Sequence, residues 1–366
     1  MDDVRTGLSY GDALLVPKRS PVDSRSAVDL STRIAPGLAL DRPVLSAAMD
    51  TVTGPELAVA LDAAGGLGVL HRFATVDEQA AWAREVTDRG ACVAGAVGIA
   101  EDSLDRAEAL LEAGVDAVVV DVAHGHMEAC LDAVAAIRSA FDPVVVAGNV
   151  ATPEGVRDLA AAGADCVKVG VGPGSHCTTR RVAGAGVPQL TAVADCADAA
   201  ADHGVTTVAD GGIRSSGDAA KALVAGADAV MLGSLFAGTA EAPGAVVEVD
   251  GARYKRSRGM ATTAAAEDRS DKESEVNADE GVEALTPYKG PLGDLVEEFA
   301  AGVRSGLSYC GAHTLAEARE NGEFVRAAAS AREREGAHFD QEWEDPGAGR
   351  ARALEASPSS REEGSE

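Results

Sequence analysis

The stretch from Val169 to Arg180, VGVGPGSHCTTR, places a thiol at the end of a glycine-rich run. Gly170, Gly172 and Gly174 let a backbone turn tightly and aim amides or carbonyls inward. Cys177 then stands on an exposed loop, where a thiolate can act as a nucleophile. Thr179, two residues on, is near enough to relay a proton, and Arg180 and Arg181 can lower the thiol pKa. The competing reading is a buried structural cysteine. That suits Cys92 and Cys166, each inside a strand-like run, better than Cys177, which is polar on both sides.

Two further glycine turns carry chemistry of another kind. ADGGIR (209–214) and LGSLFAG (232–238) each follow a short apolar run and precede a helical one. Backbone amides at such turns, with a helix N-terminus behind them, can hold a phosphate. Gly212, Gly233 and Ser234 are the candidates, with Asp210 beside them to accept hydrogen bonds from ribose hydroxyls. Tight turns with no ligand are the alternative, since such loops need glycine anyway. His124 and His126, in VAHGHM, lack a nearby third ligand and read as a polar loop rather than a metal pair.

These residues need a frame. Eight short valine-rich runs, 43–49, 66–70, 92–98, 116–123, 143–150, 166–172, 206–212 and 229–235, suit strands buried on both faces. Alanine-rich helical segments separate most of them. LDRAEALLEAGVDAVVV, VRDLAAAGADCVKVG and AAKALVAGADAVMLG repeat one plan: helix, glycine, Asp, strand. The alternation predicts an α/β fold, a (β/α)8 TIM barrel, with an open doubly wound sheet as the alternative. The barrel closes near Gly238. A single catalytic domain spans 1–332, with a long mobile flap over about 255–283 and a closing helix in 292–312. Residues 333–366 read as a disordered acidic tail.

Composition narrows the partners. Acidic residues number 59 against 32 basic, a net charge of −27, which repels nucleic acid and anionic membranes. The balance suits a halophilic cytoplasm, where salt screens self-repulsion; an ordinary acidic protein with a charged tail is the alternative. Aromatics make up only 3%, so Ala, Val and Leu must fill the core. The six cysteines form no CxxC pair and read as reduced thiols. The N-terminus MDDVRTGLSY has no signal-peptide pattern, and no run of about 20 apolar residues could span a membrane.

From about residue 6 to residue 330 the chain resembles the IMP dehydrogenase/GMP reductase family. The resemblance rests on GLSYGDALLVP, PVLSAAMDTVT, AGVDAVVVDVAHGH, VVAGNVAT, VGVGPGSHCTTR, GVPQLTAVAD, VADGGIRSSGD, MLGSLFAGTAEAPG and PYKG, in that order. It implies a cytoplasmic barrel enzyme, usually a homotetramer, working at carbon 2 of GMP or IMP with a nicotinamide dinucleotide. It implies Cys177 as nucleophile through a covalent thioimidate and Thr179 as its proton-handling neighbour. Ser175, Gly212, Gly233 and Ser234 would meet the phosphate, Asp210 the ribose and Met49 the base. Asp121 and Asn149 match positions near the cofactor, and the backbone of Gly172, Gly174 and Cys177 matches a K+ site of many dehydrogenases.

The resemblance also divides the two reactions. The dehydrogenase activates a hydrolytic water with an Arg-Tyr pair on its flap; the reductase lacks the pair. Here the flap, from Gly259-Met260 to Glu280-Gly281, is short and has no Arg-Tyr. SEVNADEG resembles the reductase segment leading to a catalytic glutamate, which makes Glu280 that residue. ADGGIRSSGD and GSLFAGTAEAPG look more like the dehydrogenase, and Arg269 with Ser270 resembles a remnant of the dyad. His176 replaces the usual aliphatic residue before the nucleophile, and Ser257 stands where dehydrogenases often have a phosphate-binding tyrosine. No CBS pair interrupts the barrel after His71. The expectation is a GMP reductase using NADPH. The alternatives are an IMP dehydrogenase using NAD, or a nucleotide sensor without catalysis.

Overall fold

A computed structural model describes residues 4–263, 265 and 280–332. The middle of the expected flap, with Arg269 and Ser270, and the acidic tail lie outside the described residues.

The valine-rich runs form eight parallel strands: β1 Val44–Ser46, β2 Gly68–Leu70, β3 Val93–Val97, β4 Ala117–Asp121, β5 Val145–Val150, β6 Cys166–Val169, β7 Thr206–Asp210 and β8 Ala229–Leu232. From β2 to β8 each pairs with the next, and β8 pairs with β1. A parallel bridge between Leu45 and Leu67 closes the ring. The expected barrel is therefore the fold, and the open sheet is not. Between the strands run α1 Pro55–Ala63, α2 Val76–Thr87, α3 Ser103–Glu112, α4 Glu128–Phe141, α5 Pro153–Ala162, α6 Gln189–His203 and α7 Ser216–Val224.

Strand side chains alternate between two cores. Leu45, Val69, Val119, Val146, Val208 and Met231 fill the barrel. Val118, Val120, Val145, Val167 and Val230 face the helices. A hairpin, Thr32–Ala35 with Leu38–Leu40, brings Ile34, Leu38 and Leu40 to the interior cluster. This leaves the other, carboxyl end of the barrel free for a site.

The repeated helix-glycine-Asp plan has a physical reason. Gly114, Gly163 and Gly226 all have positive φ (86°, 108° and 114°), which turns the chain out of the helix. The Asp that follows then begins the next strand. Asp116, Asp165 and Asp228 each accept an amide at the start of the preceding strand, from Val93, Val145 and Thr207, at 2.8 Å. Each Asp amide donates back to the same residue's carbonyl, also at 2.8 Å. One residue type thus sets the strand register at three places around the barrel.

After β8 a three-stranded antiparallel sheet follows: β9 Val246–Val249, β10 Ala252–Arg258 and β11 Glu283–Pro287. This corrects the expected loop at 255–283, because its two ends are strand. Polarity misled there. Lys255 and Ser257 are buried, but their polar atoms are satisfied, Lys255 by the Ala240 and Ala242 carbonyls. Helix α8, Leu292–Tyr309, buries Val296, Phe299 and Val303 against the barrel's helices. A side chain at Gly302 would meet the Ser216 hydroxyl at 2.1 Å, so glycine there sets how closely α8 approaches α7. No helix among the described residues is long and apolar enough to cross a membrane.

Candidate active site

The nucleophile loop is built by crowding. After β6, Gly170 (φ 154°) passes so close to β7 that a Cβ would lie 2.0 Å from the Asp210 carbonyl. The chain then turns back through Gly172 and Gly174, and Cys177 pairs in strand fashion with Gly281. The Thr178 amide donates to the Glu280 carbonyl at 2.9 Å, and the Val282 amide to the His176 carbonyl at 3.0 Å. These bonds stitch the base of the flap to the cysteine loop. A Cβ on Gly259 would lie 2.9 Å from the His176 carbonyl, so the flap enters through a gap only glycine fits.

Cys177 is half-buried. Its thiol donates to the Thr179 hydroxyl, 3.1 Å away, and that hydroxyl donates to Glu280 Oε2 at 2.6 Å. Thiol, hydroxyl and carboxylate thus form one directed chain, from segments 101 residues apart in sequence. Arg180 does not serve the thiol as a hydrogen-bond partner: its guanidinium donates to the Val171 and Val187 carbonyls and braces the loop. Arg181 is exposed. Among the other thiols, burial pushes Cys130 to about 11 and Cys166 and Cys196 to about 12. Partial burial with Asp116 and Asp62 raises Cys92 to about 11.

The cleft above spans about 930 Å³, its open mouth included. Met49, Ser175, Cys177, Thr179, Asp210 and Glu280 line it, and so do Gly212, Gly233 and Ser234. Gly212 has φ 78°, and Gly233 begins the single helical turn Ser234–Ala237. A Cβ at Gly233 would sit 3.3 Å from the Met49 sulfur, so the glycine lets Met49 lie over the turn. Arg258, at the end of β10, pairs with Asp50 next to Met49 and ties the flap strand to the loop after β1.

Asp121 and Asn149 lie outside that lining, and Lys168 connects them to it. Lys168 points into the barrel, almost wholly buried. Its ammonium is 2.6 Å from Asp121 Oδ1, 2.8 Å from Asp210 Oδ2 and 2.7 Å from Asn149 Oδ1. Asn149 Nδ2 donates in turn to Asp210 Oδ2 at 2.9 Å and to the Gly170 carbonyl at 2.8 Å. Burial alone would lower the Lys168 pKa; Asp121 and Asp210 outweigh it and raise it, so the lysine stays charged. Sequence reasoning missed Lys168. The available signal was a lone lysine inside the buried run CVKVG.

Lys289, of the PYKG motif, was missed too. It donates to the Leu235 carbonyl at 2.9 Å and the Ser234 carbonyl at 3.3 Å, bracing the helical turn at the candidate phosphate site. Burial lowers its pKa from 10.5 to about 8. A lysine whose folded pKa is depressed binds fewer protons folded than unfolded between those two values. Its destabilising contribution is therefore full below about pH 8 and fades as pH rises towards 10.5. The urea midpoint of the native protein should gain on that of Lys289→Met between pH 7.5 and 10, whatever the other groups do in both. Equal changes for the two proteins would remove Lys289 from this account.

At the expected K+ site, the Gly174 carbonyl accepts the Cys177 amide at 3.1 Å and keeps a second lone pair, so the turn is compatible with a cation ligated by backbone oxygens. The pair Asp121 and Asn149 suits a nicotinamide dinucleotide, since a carboxylate and an amide can take ribose hydroxyls or a carboxamide. His126, read as part of a polar loop, bonds Asp158 at 2.7 Å.

Fold and cleft together define a (β/α)8 barrel with a cysteine at the carboxyl end of its strands. The IMP dehydrogenase / GMP reductase domain model matches residues 7–338. The chain belongs to the IMP dehydrogenase/GMP reductase family. It is 37% identical to the inosine-5'-monophosphate dehydrogenase of Nitrosopumilus maritimus, over 88% of this chain and 96% of that one. It is 34% identical to the GMP reductase of Leishmania major, over 91% and 96%. The GMP reductase of Trypanosoma brucei, solved as a cysteine-to-alanine variant in complex with guanosine 5'-monophosphate, superposes with a TM-score of 0.89. It shares 32% identity, over 93% of this chain and 99% of that one.

Proposed function

We propose that the chain is a GMP reductase, converting GMP, NADPH and a proton to IMP, ammonia and NADP+. The observation that carries this reading is the hydrogen-bonded chain Cys177–Thr179–Glu280. As Cys177 Sγ bonds to carbon 2 of GMP, its proton passes through the Thr179 hydroxyl to the Glu280 carboxylate. Glu280 then gives that proton to the 2-amino group, which departs as ammonia with the C–N electron pair. A thioimidate on Cys177 remains. Bound NADPH supplies hydride to carbon 2; the C–S bond breaks, and the thiolate takes up a proton.

A reductase must keep water from the adduct until hydride arrives. A carboxylate already committed as acceptor of the Thr179 proton suits ammonia release better than hydrolysis. On this reading Asp210 takes the ribose, and Ser175, Gly212, Gly233 and Ser234 the phosphate. Met49 meets the base, and Asp121 and Asn149 the cofactor. A cytoplasmic homotetramer adapted to high salt fits the acidic composition and the family resemblance.

The second reading is an IMP dehydrogenase. It is favoured by the 37% identity with the Nitrosopumilus enzyme, above that with the Leishmania reductase. One assay separates the two. Purified protein at high KCl receives GMP with NADPH, or IMP with NAD+, and the reduced-nicotinamide absorbance is followed. NADPH loss with ammonia release is expected; NADH formation with XMP would replace the reductase reading by the dehydrogenase one. Glu280→Gln keeps an acceptor for Thr179 but cannot hold the proton. It should lower kcat on the order of 10²-fold and flatten the pH profile.

A further inference from the structure

His176 lies directly before the nucleophile and Ser257 is 81 residues away, yet they meet. The His176 ring is buried, with Nε2 2.9 Å from the Ser257 hydroxyl and Nδ1 3.2 Å from the Ser175 hydroxyl. Ser257 lies in turn 2.7 Å from the Thr286 hydroxyl, so the row runs from the cleft through His176 to both flap strands, β10 and β11. Ser175 is the exposed end of this row, on the cleft wall.

Every member other than the ring is a hydroxyl, and the Ala284 carbonyl lies at the long distance of 3.5 Å from the Ser257 hydroxyl, so the row can be polarised in either of two directions. In one, Ser175 donates to Nδ1, Nε2–H donates to Ser257, and Ser175 offers the cleft only lone pairs. In the other, Thr286 donates to Ser257, Ser257 donates to Nε2, Nδ1–H donates to Ser175, and the Ser175 proton points into the cleft. An anion in the cleft accepts only from the second arrangement. A doubly protonated ring would also donate from Nδ1 to Ser175.

We propose that His176 is a positioning residue for the substrate phosphate: with nucleotide bound, its Nδ1 carries a proton, and the row from Thr286 turns the Ser175 hydroxyl proton towards the phosphate. This rests on the reading of Ser175 as a phosphate contact. It adds a specific link between that contact and the flap sheet, since Ser257 and Thr286 flank the segment that carries Glu280.

Calorimetric binding of GMP and of guanosine to the wild type, His176→Asn and His176→Gln tests it. The Asn amide stands where Nδ1–H does, and the Gln amide where Nε2 does. His176→Gln should weaken GMP about tenfold and leave guanosine unchanged, the scale of one hydrogen bond to a charged group. Its KM for GMP should rise in step, with kcat within about twofold. His176→Asn should return GMP affinity most of the way to wild type. Equal losses for GMP and guanosine, no loss in His176→Gln, or equal losses in both variants would overturn the proposal. If the wild type itself fails to prefer GMP over guanosine, the phosphate reading of the cleft is what fails. Neutron diffraction of the GMP complex gives a check without mutation: a deuteron on Nδ1 is expected, and a ring deuterated on Nε2 alone refutes the assignment.

Discussion

Cys177→Ala should abolish turnover of GMP, by on the order of 10⁵-fold or more, while GMP still binds. No other group can form the bond to carbon 2, and removing a nucleophile typically costs this much in kcat. Every other thiol with a stated shift is pushed up, and burial accounts for most of it. The ribose contact and the phosphate contacts at Gly212, Gly233 and Ser234 come from other loops, and Ser175 keeps its place two residues before the substitution, so binding survives. Single-turnover mixing with GMP gives a second readout. The native protein should release ammonia without NADPH, as the thioimidate forms; the variant should release none. A variant with native turnover would end the covalent mechanism.

Lys168→Met should destabilise the fold by about 3–5 kcal/mol, the usual cost of removing one partner from a buried ion pair. Asp121 and Asp210 would face each other across the barrel mouth with no cation between them. Methionine nearly matches the lysine stem in volume, so lost charge rather than a cavity would be the cause. Adding Asp121→Asn and Asp210→Asn should therefore recover most of the urea midpoint. A triple variant no more stable than Lys168→Met would show that packing, not charge balance, holds this layer together. The single variant should also bind GMP and cofactor more weakly, because Asp210 and Asn149 lose the group that orients them.

The barrel was legible because its rules are local. Eight buried strands need eight valine-rich runs, and a helix leading straight into a strand needs a glycine to end it. Cys177 was legible for the same reason: its loop is polar, glycine-rich and continuous in sequence. The errors fell where polarity was satisfied at a distance. Lys255 and Ser257 looked like loop residues, and their partners, Ala240, Ala242, His176 and Thr286, are named only by the folded chain. Arg180, three residues after Cys177, gives its hydrogen bonds to backbone carbonyls and reaches the thiol through charge alone.

By itself the sequence determined the eight barrel strands with helices between them, the closed barrel they suit and the thiol at the carboxyl end of the sixth strand. Short-range patterning and backbone preference suffice for these. Only the tertiary structure decided what each polar side chain faces. It drew Lys168 between Asp121 and Asp210, set Glu280 at the end of the thiol's hydrogen-bond chain, and joined His176 to Ser257. A buried charge or hydroxyl is stabilised by whichever partner lies within about 3 Å. Loop closure brings such partners together from positions that carry no mark of one another along the chain.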